Sequence, residues 1–275
     1  MDKQDYTLRL ISLGAGVQST AMLLMAEAGE FDEYGKIDAA IFADTGWEPP
    51  SVYEHLEWLK TVVSVPIHVV SQDYKIRERT LASLGGKTRF TALPVYIKNY
   101  DGEKAMLRRQ CTREYKIEPL ERQARALLGL KKGQRMPRGT MVQNWLGISS
   151  DEAARMKRAY RPWMDNFYPL IERWISRQGC KDWMADHSYP EPSKSACIGC
   201  PFHDDGTWRD MKMNRPVEFA DAVDFDHRIR TGLKGVDCEA FLHRSLQPLD
   251  EVDFRNAEDL GQLNFLGECE GYCGV

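Results

Sequence analysis

The stretch LRLISLGAGVQSTAMLLMAEAG, Leu8–Gly29, decides the fold class, because an apolar strand pattern passes through a glycine-rich turn into a helical pattern. The residues TLRLISL at its start predict a buried strand. Gln18–Gly29 predicts a helix, since its apolar residues recur three and four positions apart and so share one helix face. The chain therefore begins with the strand–turn–helix unit that is typical of α/β domains.

The same alternation continues along the first half of the chain. IDAAIFAD at 37–44 and VPIHVVSQ at 65–72 predict a second and a third strand, and TMVQNWLGI at 140–148 predicts a further one. Pro49–Ser64 and Tyr74–Leu84 predict the intervening helices. We expect an open parallel sheet with helices on both faces and right-handed crossovers.

The second half has a different character. Asp101-Gly102 between two short alternating runs predicts a hairpin, Glu114–Leu128 predicts a helix, and Ser150 is expected to cap a helix that follows it. Beyond Arg161 no further strand is expected, and proline and tryptophan become frequent. We therefore expect a nucleotide-binding α/β domain over residues 1–165 and a helical, loop-rich, cysteine-containing subdomain over 166–275.

Composition places the chain among ordinary globular proteins. Its 275 residues are 43% hydrophobic and 28% charged, and its longest apolar runs are far too short to span a bilayer. The first ten residues carry charges where a signal peptide would need an apolar stretch, so we expect a cytoplasmic location and no membrane association. Thiols stay reduced there, and the seven cysteines then favour a metal site or thiol chemistry over disulfides.

The charge is distributed unevenly. The chain has a formal net charge of −4, yet eleven lysines and arginines lie between Asp101 and Arg138 against five acidic residues. Such a block could bind a polyanion, or it could simply form a solvated helix face. Both interpretations stay open, and so does nucleic acid as a partner.

The turn after the first strand has the composition of an anion site. Gly14 and Gly16 let the backbone approach a phosphate, the following helix offers unpaired N–H groups, and hydroxyls come from Ser12, Ser19 and Thr20. Ligands of open parallel sheets bind at this edge. The turn lacks the G-K-[ST] of P-loop nucleoside triphosphatases, and Ser19 stands where a dinucleotide fingerprint needs its third glycine.

The turn resembles the pyrophosphate loop S-G-G-x-D-S of the ATP pyrophosphatases and of the adenylyl-sulfate and phosphoadenylyl-sulfate reductases. The match is S-x-G-x-G-x-x-S from Ser12 to Ser19, with Gln18 where that motif has aspartate. The resemblance implies a site for ATP with Mg²⁺. It extends to the D-T-G after the second strand and to a glycine-led segment beginning at Gly147. The residues that it places around the nucleotide are Ser12, Gly14, Gly16, Gln18, Ser19, Thr20, Asp44, Thr45, Gly46 and Gly147, with Glu152 and Arg155 at the border.

Two cysteine segments are similar to the iron–sulfur members of this superfamily. RRQCTREYKIEPL resembles C-C-x-x-R-K-x-x-P-L with Thr112 replacing the second cysteine, and SACIGCPFH resembles a later C-x-x-C. The resemblance implies a [4Fe-4S] cluster on Cys111, Cys197 and Cys200. A structural zinc ion on those cysteines and His203 is the alternative. The basic residues Arg108, Arg109 and Lys116 would hold an anion nearby.

The chain ends in LGECEGYCGV, which is similar to the glutamate–cysteine–glycine end of the reductases. Cys269 and Cys273 are therefore candidate nucleophiles or persulfide carriers, and either could supply a fourth cluster ligand. Lys116 completes the set of candidate catalytic residues.

Together these features favour an ATP-dependent adenylylating sulfurtransferase. We expect adenylylation of a carbonyl or amide oxygen of the acceptor, which is a nucleobase, a nucleic acid or a small metabolite, followed by its thiolation with the iron–sulfur cluster. A cysteine desulfurase or another sulfur donor is the expected partner, and a homodimer is a candidate assembly. Two alternatives stay open: a reductase that releases sulfite from adenylyl sulfate or its 3′-phosphorylated form, and a non-catalytic accessory subunit of a nucleic-acid modification system.

Overall fold

The structure is a computed structural model, and it describes residues 5–86, 92–99 and 102–255. The strands are β1 (Leu8–Leu13), β2 (Ala39–Asp44), β3 (Ile67–Ser71), β4 (Tyr96–Lys98), β5 (Lys104–Met106), β6 (Val142–Leu146), β7 (Met164–Phe167) and β8 (Ala240–Phe241). The α-helices are α1 (Val17–Glu27), α2 (Pro50–Val62), α3 (Ile76–Leu81), α4 (Glu118–Leu127), α5 (Pro169–Glu172), α6 (Arg177–Asp186), α7 (Asp205–Asn214) and α8 (Pro216–Ile229).

The chain divides into two compact units, each assembled from three stretches of sequence. Unit 1 comprises Met1–Asp44, Pro50–Ser71 and Lys116–Ser195. Unit 2 comprises Thr45–Pro49, Gln72–Tyr115 and Ala196–Val275. The predicted boundary at residue 165 falls inside β7, which belongs to unit 1, and the assignment of separate functions to 1–165 and 166–275 stays a prediction.

Unit 1 is built on a five-stranded sheet in the order β3-β2-β1-β6-β7. Every neighbouring pair is parallel, so the carboxyl ends of all five strands lie at one edge. The predicted α/β fold class with an open parallel sheet is confirmed.

Helices cover both faces of this sheet because side chains alternate along each strand. Ile11 and Leu13 of β1 pack in a core with α1, α2 and α6. Leu8 and Leu10, one position out of step, pack in a second core against α4. Alternate side chains of β1 thus pack into two separate cores, as expected for a strand buried on both faces.

Helix α1 is more enclosed than its sequence pattern indicates. Every residue from Val17 to Met25 is buried, including the polar residues of its first turn. A helix surrounded in this way is a central element rather than a surface helix. Its amino-terminal turn is consequently held in place by packing on all sides.

Unit 2 contains a small antiparallel sheet in the order β5-β4-β8 and a helical core. Helices α7 and α8 pack together, and α8 also contacts α3. The carboxylate of Asp226 on α8 is fully buried, and it accepts the Leu242 and Leu249 backbone N–H groups. Burial raises the pKa of this carboxyl, while the ion pair to Arg230 opposes that rise.

Several local expectations were wrong. Strands β7 and β8 lie beyond Arg161, where no strand was expected; both are short, and MDNF of β7 carries no apolar run. The cap of the helical turn Ser150–Arg155 is Ser149 rather than Ser150, and that turn is a 3-10 helix. The predicted helix Glu114–Leu128 begins as a π-helical turn, Thr112–Ile117, and becomes α-helical at Glu118. The predicted hairpin is confirmed in β4 and β5.

In the described ranges, no helix combines the length and the hydrophobicity that crossing a bilayer requires.

Candidate functional site

The turn between β1 and α1 is tight and is closed by hydrogen bonds of its own residues. Ala15 lies in the left-handed region with φ = 56°, an uncommon conformation for a residue with a side chain. The hydroxyl of Ser19 accepts the Gly14 N–H at 3.2 Å and donates to the Gly16 carbonyl oxygen at 3.2 Å. The side chain of Ser19 therefore closes the turn from inside. We call Gly14–Gly16 the glycine turn.

The amino end of α1 carries no capping side chain of its own. The N-cap is Gly16, and the first turn contains no acidic residue. A helix amino terminus concentrates partial positive charge on its first N–H groups. Because no carboxylate of the first turn neutralises that charge, the end of α1 is suited to bind a phosphate.

Gln18, in the first turn of α1, is fixed from both ends of its amide. Its oxygen accepts from Arg177 Nη1 at 3.0 Å, and its nitrogen donates to Glu152 Oε2 at 3.1 Å. Glu152 in turn forms an ion pair with Arg155. The glutamine thus joins a cation and an anion, a pattern that an aspartate at this position could not reproduce.

Thr20 does not face the turn. Its side chain is 0% exposed, and its hydroxyl forms a 3.0 Å hydrogen bond with His55 Nε2 of α2. Burial lowers the pKa of the His55 imidazole, which favours the neutral ring. The expectation that Thr20 offers a hydroxyl to a ligand is at odds with this core position.

Gly147 follows β6 and lies directly against the first turn of α1. A Cβ atom at this position would stand 2.7 Å from the Ser19 nitrogen and 2.8 Å from its Cα. Only glycine allows this approach of two backbones. This contact is with protein backbone, and the expected place of Gly147 beside the nucleotide stays a prediction.

Two other predicted residues of unit 1 lie on neighbouring strands. Ser12 is the fifth residue of β1 and is half-buried, on the strand face shared with Leu8 and Leu10. Asp44 ends β2, and its carboxylate accepts the Tyr53 hydroxyl at 2.9 Å. Since parallel strands end at one edge, Asp44 lies at the same sheet edge as the glycine turn.

Ser195 also contacts this turn. Its hydroxyl donates to the Gly14 carbonyl oxygen, and its Cβ lies 3.6 Å from the position that a Cβ on Gly16 would take. Nothing in the sequence marked this serine beyond its place two residues before Cys197. Arg177, Glu152 and Ser195 are therefore the neighbours of the turn that only the structure reveals as a group.

The D-T-G segment continues into unit 2 with Thr45 and Gly46. The Thr45 hydroxyl donates to Glu48 Oε1 at 3.0 Å and lies 3.1 Å from Cys197 Sγ. Gly46 has φ = 74°, and a Cβ there would overlap the Lys75 side chain. Thr45 is buried, so within unit 2 it acts as a link between the segment 45–49 and the cysteine segment Cys197–His203.

Glu48 is the unpredicted acidic residue of this cluster. It is 4% exposed, its Oε1 accepts from Thr45 and lies 3.6 Å from the Cys197 thiol, and its Oε2 has no partner among the described residues. A buried carboxylate with an unsatisfied oxygen is costly. Its spacing three residues after Thr45 was visible in the sequence, but nothing there indicated its burial.

The cysteine segment forms a tight turn. The Cys200 N–H donates to the Cys197 carbonyl oxygen at 3.0 Å, and His203 Nε2 lies 2.9 Å from that same oxygen. The Trp47 ring lies against Gly199 so closely that a Cβ atom on residue 199 would overlap it. The His203 ring is thus engaged with the backbone of the turn.

The described residues do not bring together a metal-ligand set. Cys111 and Cys197 both pack against the core of unit 2, yet no group of three or more His, Cys, Asp or Glu side chains in the described ranges is arranged to hold a metal ion. Ligation by Cys111, Cys197 and Cys200 therefore stays a prediction. Cys269 and Cys273 lie outside the described residues.

The remaining cysteines and cations are placed as follows. Cys180 is buried in the core of unit 1, and burial raises the pKa of its thiol to about 12, which makes it an inert apolar residue. Cys238 packs against the core of unit 2.

Two of the candidate cations also lie in the described ranges. Arg109 lies over the Phe202 ring at 5.0 Å. Lys116 lies in the π-helical turn and is half-buried.

Comparisons with known proteins give one family match and a weak similarity to a solved structure. A family model described as "Phosphoadenosine phosphosulfate reductase domain" matches residues 9–146. Among solved structures, the chain is similar to phosphoadenylyl-sulfate (PAPS) reductase from Candida auris in a phosphate complex. That match has 12% identity, covers 70% of this chain and 82% of that chain, and has a TM-score of 0.43. No curated protein matches the chain.

Proposed function

Because the chain belongs to the phosphoadenosine phosphosulfate reductase domain family, we propose that its glycine turn binds the phosphates of ATP and that the enzyme uses this ATP to drive sulfur transfer. The observation that carries the proposal is the uncapped amino end of α1, whose turn is closed by Ser19 and contains the left-handed Ala15. The family supplies the class of chemistry, and the turn supplies a phosphate site.

The surroundings of the turn suit a phosphate ester. The first N–H groups of α1 offer hydrogen-bond donors, and Arg177 brings a cation to Gln18 in the same turn. Gln18 adds no charge of its own, and the carboxylate to which it donates, Glu152, is paired with Arg155. Mg²⁺ bound with ATP would neutralise further phosphate charge, with Asp44 at the same sheet edge as its candidate carboxylate ligand.

The proposed reaction has two displacements. In the first, an oxygen of the acceptor attacks the α-phosphorus of ATP. The bond between the α-phosphorus and the oxygen that bridges it to the β-phosphate breaks, and pyrophosphate leaves. In the second, sulfide adds to the activated carbon, and AMP leaves with the former acceptor oxygen. The sulfur stays at the oxidation level of sulfide, so no oxidant or reductant is needed. Fixed N–H donors at the helix end would stabilise the charge that grows on the leaving phosphates.

Neither displacement requires an iron–sulfur cluster. The described residues do not assemble a ligand set for one, and the thiol of Cys197 is engaged with Thr45 and Glu48. If Cys269 or Cys273 instead delivers the sulfur as a persulfide, its outer sulfur attacks the activated carbon and AMP leaves. The other of the two thiols then breaks the S–S bond, and an external dithiol must reduce the disulfide that remains. Lys116 is a candidate for holding the acceptor.

Membership of the phosphoadenosine phosphosulfate reductase domain family suggests a second candidate function, which is reduction of a sulfonucleotide. A reductase would use the Cys269 thiolate to attack the sulfur of adenylyl sulfate, breaking the sulfur–oxygen bond and releasing the nucleotide. A second thiol, such as Cys273, would then attack the resulting cysteine thiosulfonate, release sulfite and leave a disulfide. This cycle needs an external dithiol reductant to restore the thiols.

Substrate discrimination separates the two candidates. The full chain, purified without oxygen, is incubated with ATP, sulfide and candidate acceptors, and separately with adenylyl sulfate and a dithiol. Acceptor-dependent pyrophosphate release supports the sulfurtransferase, and sulfite release supports the reductase. If neither product forms and ATP does not bind, the proposed function is wrong.

The variant Gly16→Asp tests the site itself. Its Cβ fits at an ordinary contact distance from Ser195, and an aspartate cap would stabilise α1 by about 0.5 kcal/mol while placing a carboxylate where the phosphates bind. We expect ATP affinity to fall more than 100-fold with no loss of thermal stability. Gly16→Asn is the matched control, because it caps the helix without the charge and should retain most of the affinity. Equal affinities for the two variants would contradict a phosphate site at this turn.

A further inference from the structure

Two segments of unit 1 carry a concentration of positive charge that the proposed nucleotide site does not use. Residues 122–141 contain six lysines and arginines, residues 153–164 contain four, and neither segment contains an acidic residue. The chain as a whole has a net charge of −4. We call these two segments the basic track.

The fold places the two segments side by side. The Val142 N–H at the start of β6 donates to the Trp163 carbonyl oxygen at 2.9 Å, and Val142 pairs in register with Met164 of β7. The first segment therefore leads into β6 and the second into β7, and these two strands begin side by side in the sheet. Farther along, Arg161 forms a 2.7 Å ion pair with Glu121 of α4, the helix that leads into the first segment.

Most of the charge on the basic track faces solvent. Eight of the ten cations are exposed, namely Arg122, Lys131, Lys132, Arg135, Arg138, Lys157, Arg158 and Arg161. Five of them form no ion pair with any residue in the described ranges: Lys131, Lys132, Arg135, Arg138 and Arg158. A cluster of exposed cations without acidic partners creates a local positive potential that attracts polyanions.

One end of the basic track lies close to the glycine turn. Arg155 pairs with Glu152, and Glu152 accepts from Gln18 in the first turn of α1. The exposed stretch Met156–Arg161 begins immediately after Arg155. A molecule lying along the track would thus reach the neighbourhood of the turn within unit 1.

An exposed aromatic ring accompanies the cations. Tyr160 is 61% exposed and lies between Arg158 and Arg161 in the second segment. Large exposed rings beside cations are characteristic of surfaces on which unpaired bases stack.

We propose that the basic track binds a single-stranded segment of nucleic acid, with its phosphates along the cations and a base stacked on Tyr160. The exposed Tyr160 ring among the cations favours a single strand over a duplex, whose bases are already stacked on one another. This docking surface does not depend on the chemistry of the nucleotide site. That the bound strand presents the acceptor base is a further step, and it rests on the proposed function.

The test is direct binding by the full chain in the absence of ATP. The probes are a fluorescent 24-nucleotide single-stranded RNA, the single-stranded DNA of the same sequence, and the DNA duplex, each titrated at several salt concentrations. The variant Lys131→Glu/Lys132→Glu reverses two exposed cations of the track. The matched control Lys36→Glu/Lys234→Glu makes the same change in net charge at positions outside it.

We expect saturable binding to a single strand, weakened about tenfold by the track variant and little changed by the control. The slope of log Kd against log salt should fall by about 1.4, since each neutralised phosphate contributes about 0.7 for a single strand. Tyr160→Ala should weaken single-strand binding about tenfold, which is within the usual effect of losing one stacked base.

Three outcomes would overturn the proposal. They are no saturable binding to any probe, equal losses in the track and control variants, and duplex binding as tight as single-strand binding with no effect of Tyr160→Ala. Thermal unfolding and ATP affinity of each variant are measured in parallel. A track variant that keeps ATP binding but loses the strand separates this surface from the nucleotide site, and a chain that binds the strand but not ATP contradicts only the proposed function.

Discussion

The glycine turn of unit 1 and the cysteine segment of unit 2 are both short glycine-containing turns, but they differ in how their geometry arises. The glycine turn is closed mainly by a neighbour in sequence, since Ser19 bonds to Gly14 and Gly16 within one strand–turn–helix unit, and the distant Ser195 adds one hydrogen bond to Gly14. The cysteine segment is fixed by a distant stretch, since Thr45 and Trp47 contact Cys197 and Gly199. A local motif therefore predicts the first turn well, whereas the second depends on how separate stretches pack.

The two turns also differ in whether their polar groups already have protein partners or could bind a ligand. The amino end of α1 has no capping side chain and no acid in its first turn, so it can accept an anion. In the cysteine segment, the Cys197 thiol and the His203 ring already have protein partners. The structure thus supports a ligand site at the first turn more directly than at the second.

The largest expected effects come from adding one methyl group at a glycine beside the first turn of α1 and at a glycine within the cysteine segment. Gly147→Ala would force apart the backbones of residue 147 and Ser19, and Gly199→Ala would displace the buried Trp47 ring. Each should lower the free energy of unfolding by about 2–3 kcal/mol through overpacking. Only Gly147→Ala should also weaken ATP binding, by at least tenfold, as measured by calorimetry.

Gly179→Ala in α6 is the control for both variants, because its Cβ would lie 3.4 Å from Ile175 Cγ2 and the helix favours alanine. Its stability should stay close to that of the wild type. If Gly147→Ala bound ATP normally, the contact of residue 147 with the turn would have no bearing on the nucleotide site.

A smaller effect is expected in the network around Gln18. Gln18→Glu would place a second carboxylate beside Glu152, and Glu152→Gln would relieve that repulsion. A double-mutant cycle on urea unfolding should give a favourable coupling of about 1 kcal/mol between the two changes. Additive effects would show that residues 18 and 152 do not interact in solution.

Two neighbouring hydroxyls of α1 should respond differently. Thr20→Val leaves His55 Nε2 without its buried partner and should cost about 1 kcal/mol of stability, with ATP affinity unchanged. Ser19→Ala opens the closed turn and should weaken ATP binding several-fold at a similar cost in stability. The reverse pattern would mean that Thr20, and not Ser19, belongs to the site.

The smallest expected effect is a pH dependence at His55. Burial lowers the pKa of its imidazole in the folded protein, so the unfolded chain binds a proton more readily. The stability contributed by the neutral ring is therefore present above the unfolded pKa of about 6.5 and is lost as the pH falls below it. Unfolding measured between about pH 5.5 and 7.5 should show a positive slope that is reduced in His55→Gln. An unchanged slope in that variant would contradict this role.

Much of unit 1 could be predicted from sequence because its signals are local. The alternation of Leu8, Leu10, Ile11 and Leu13 defines a strand buried on two faces, and the glycines define the turn after it. Strand β7 was missed because its four residues, MDNF, hold no apolar run and pair only at the sheet edge.

The candidate site could be predicted only in part, because many of its contacts join residues that are far apart in the sequence. Thr20 has the right type and spacing for a ligand hydroxyl, but α1 is enclosed on all sides, and periodicity alone does not reveal which face meets His55. Arg177 lies 159 residues from Gln18, so their hydrogen bond follows only from the packing of α6 against α1. The three cysteines were grouped by resemblance, and the described residues do not assemble them into a ligand set.

Amide hydrogen exchange of the full chain with and without ATP and Mg²⁺ tests the central claim most directly. If the amino end of α1 holds the phosphates, then the amides of residues 14–20 should exchange more slowly in the presence of ATP in the wild type, and Gly16→Asp should abolish that protection. Saturable ATP binding with no change in exchange across residues 14–20 would contradict a phosphate site at the glycine turn.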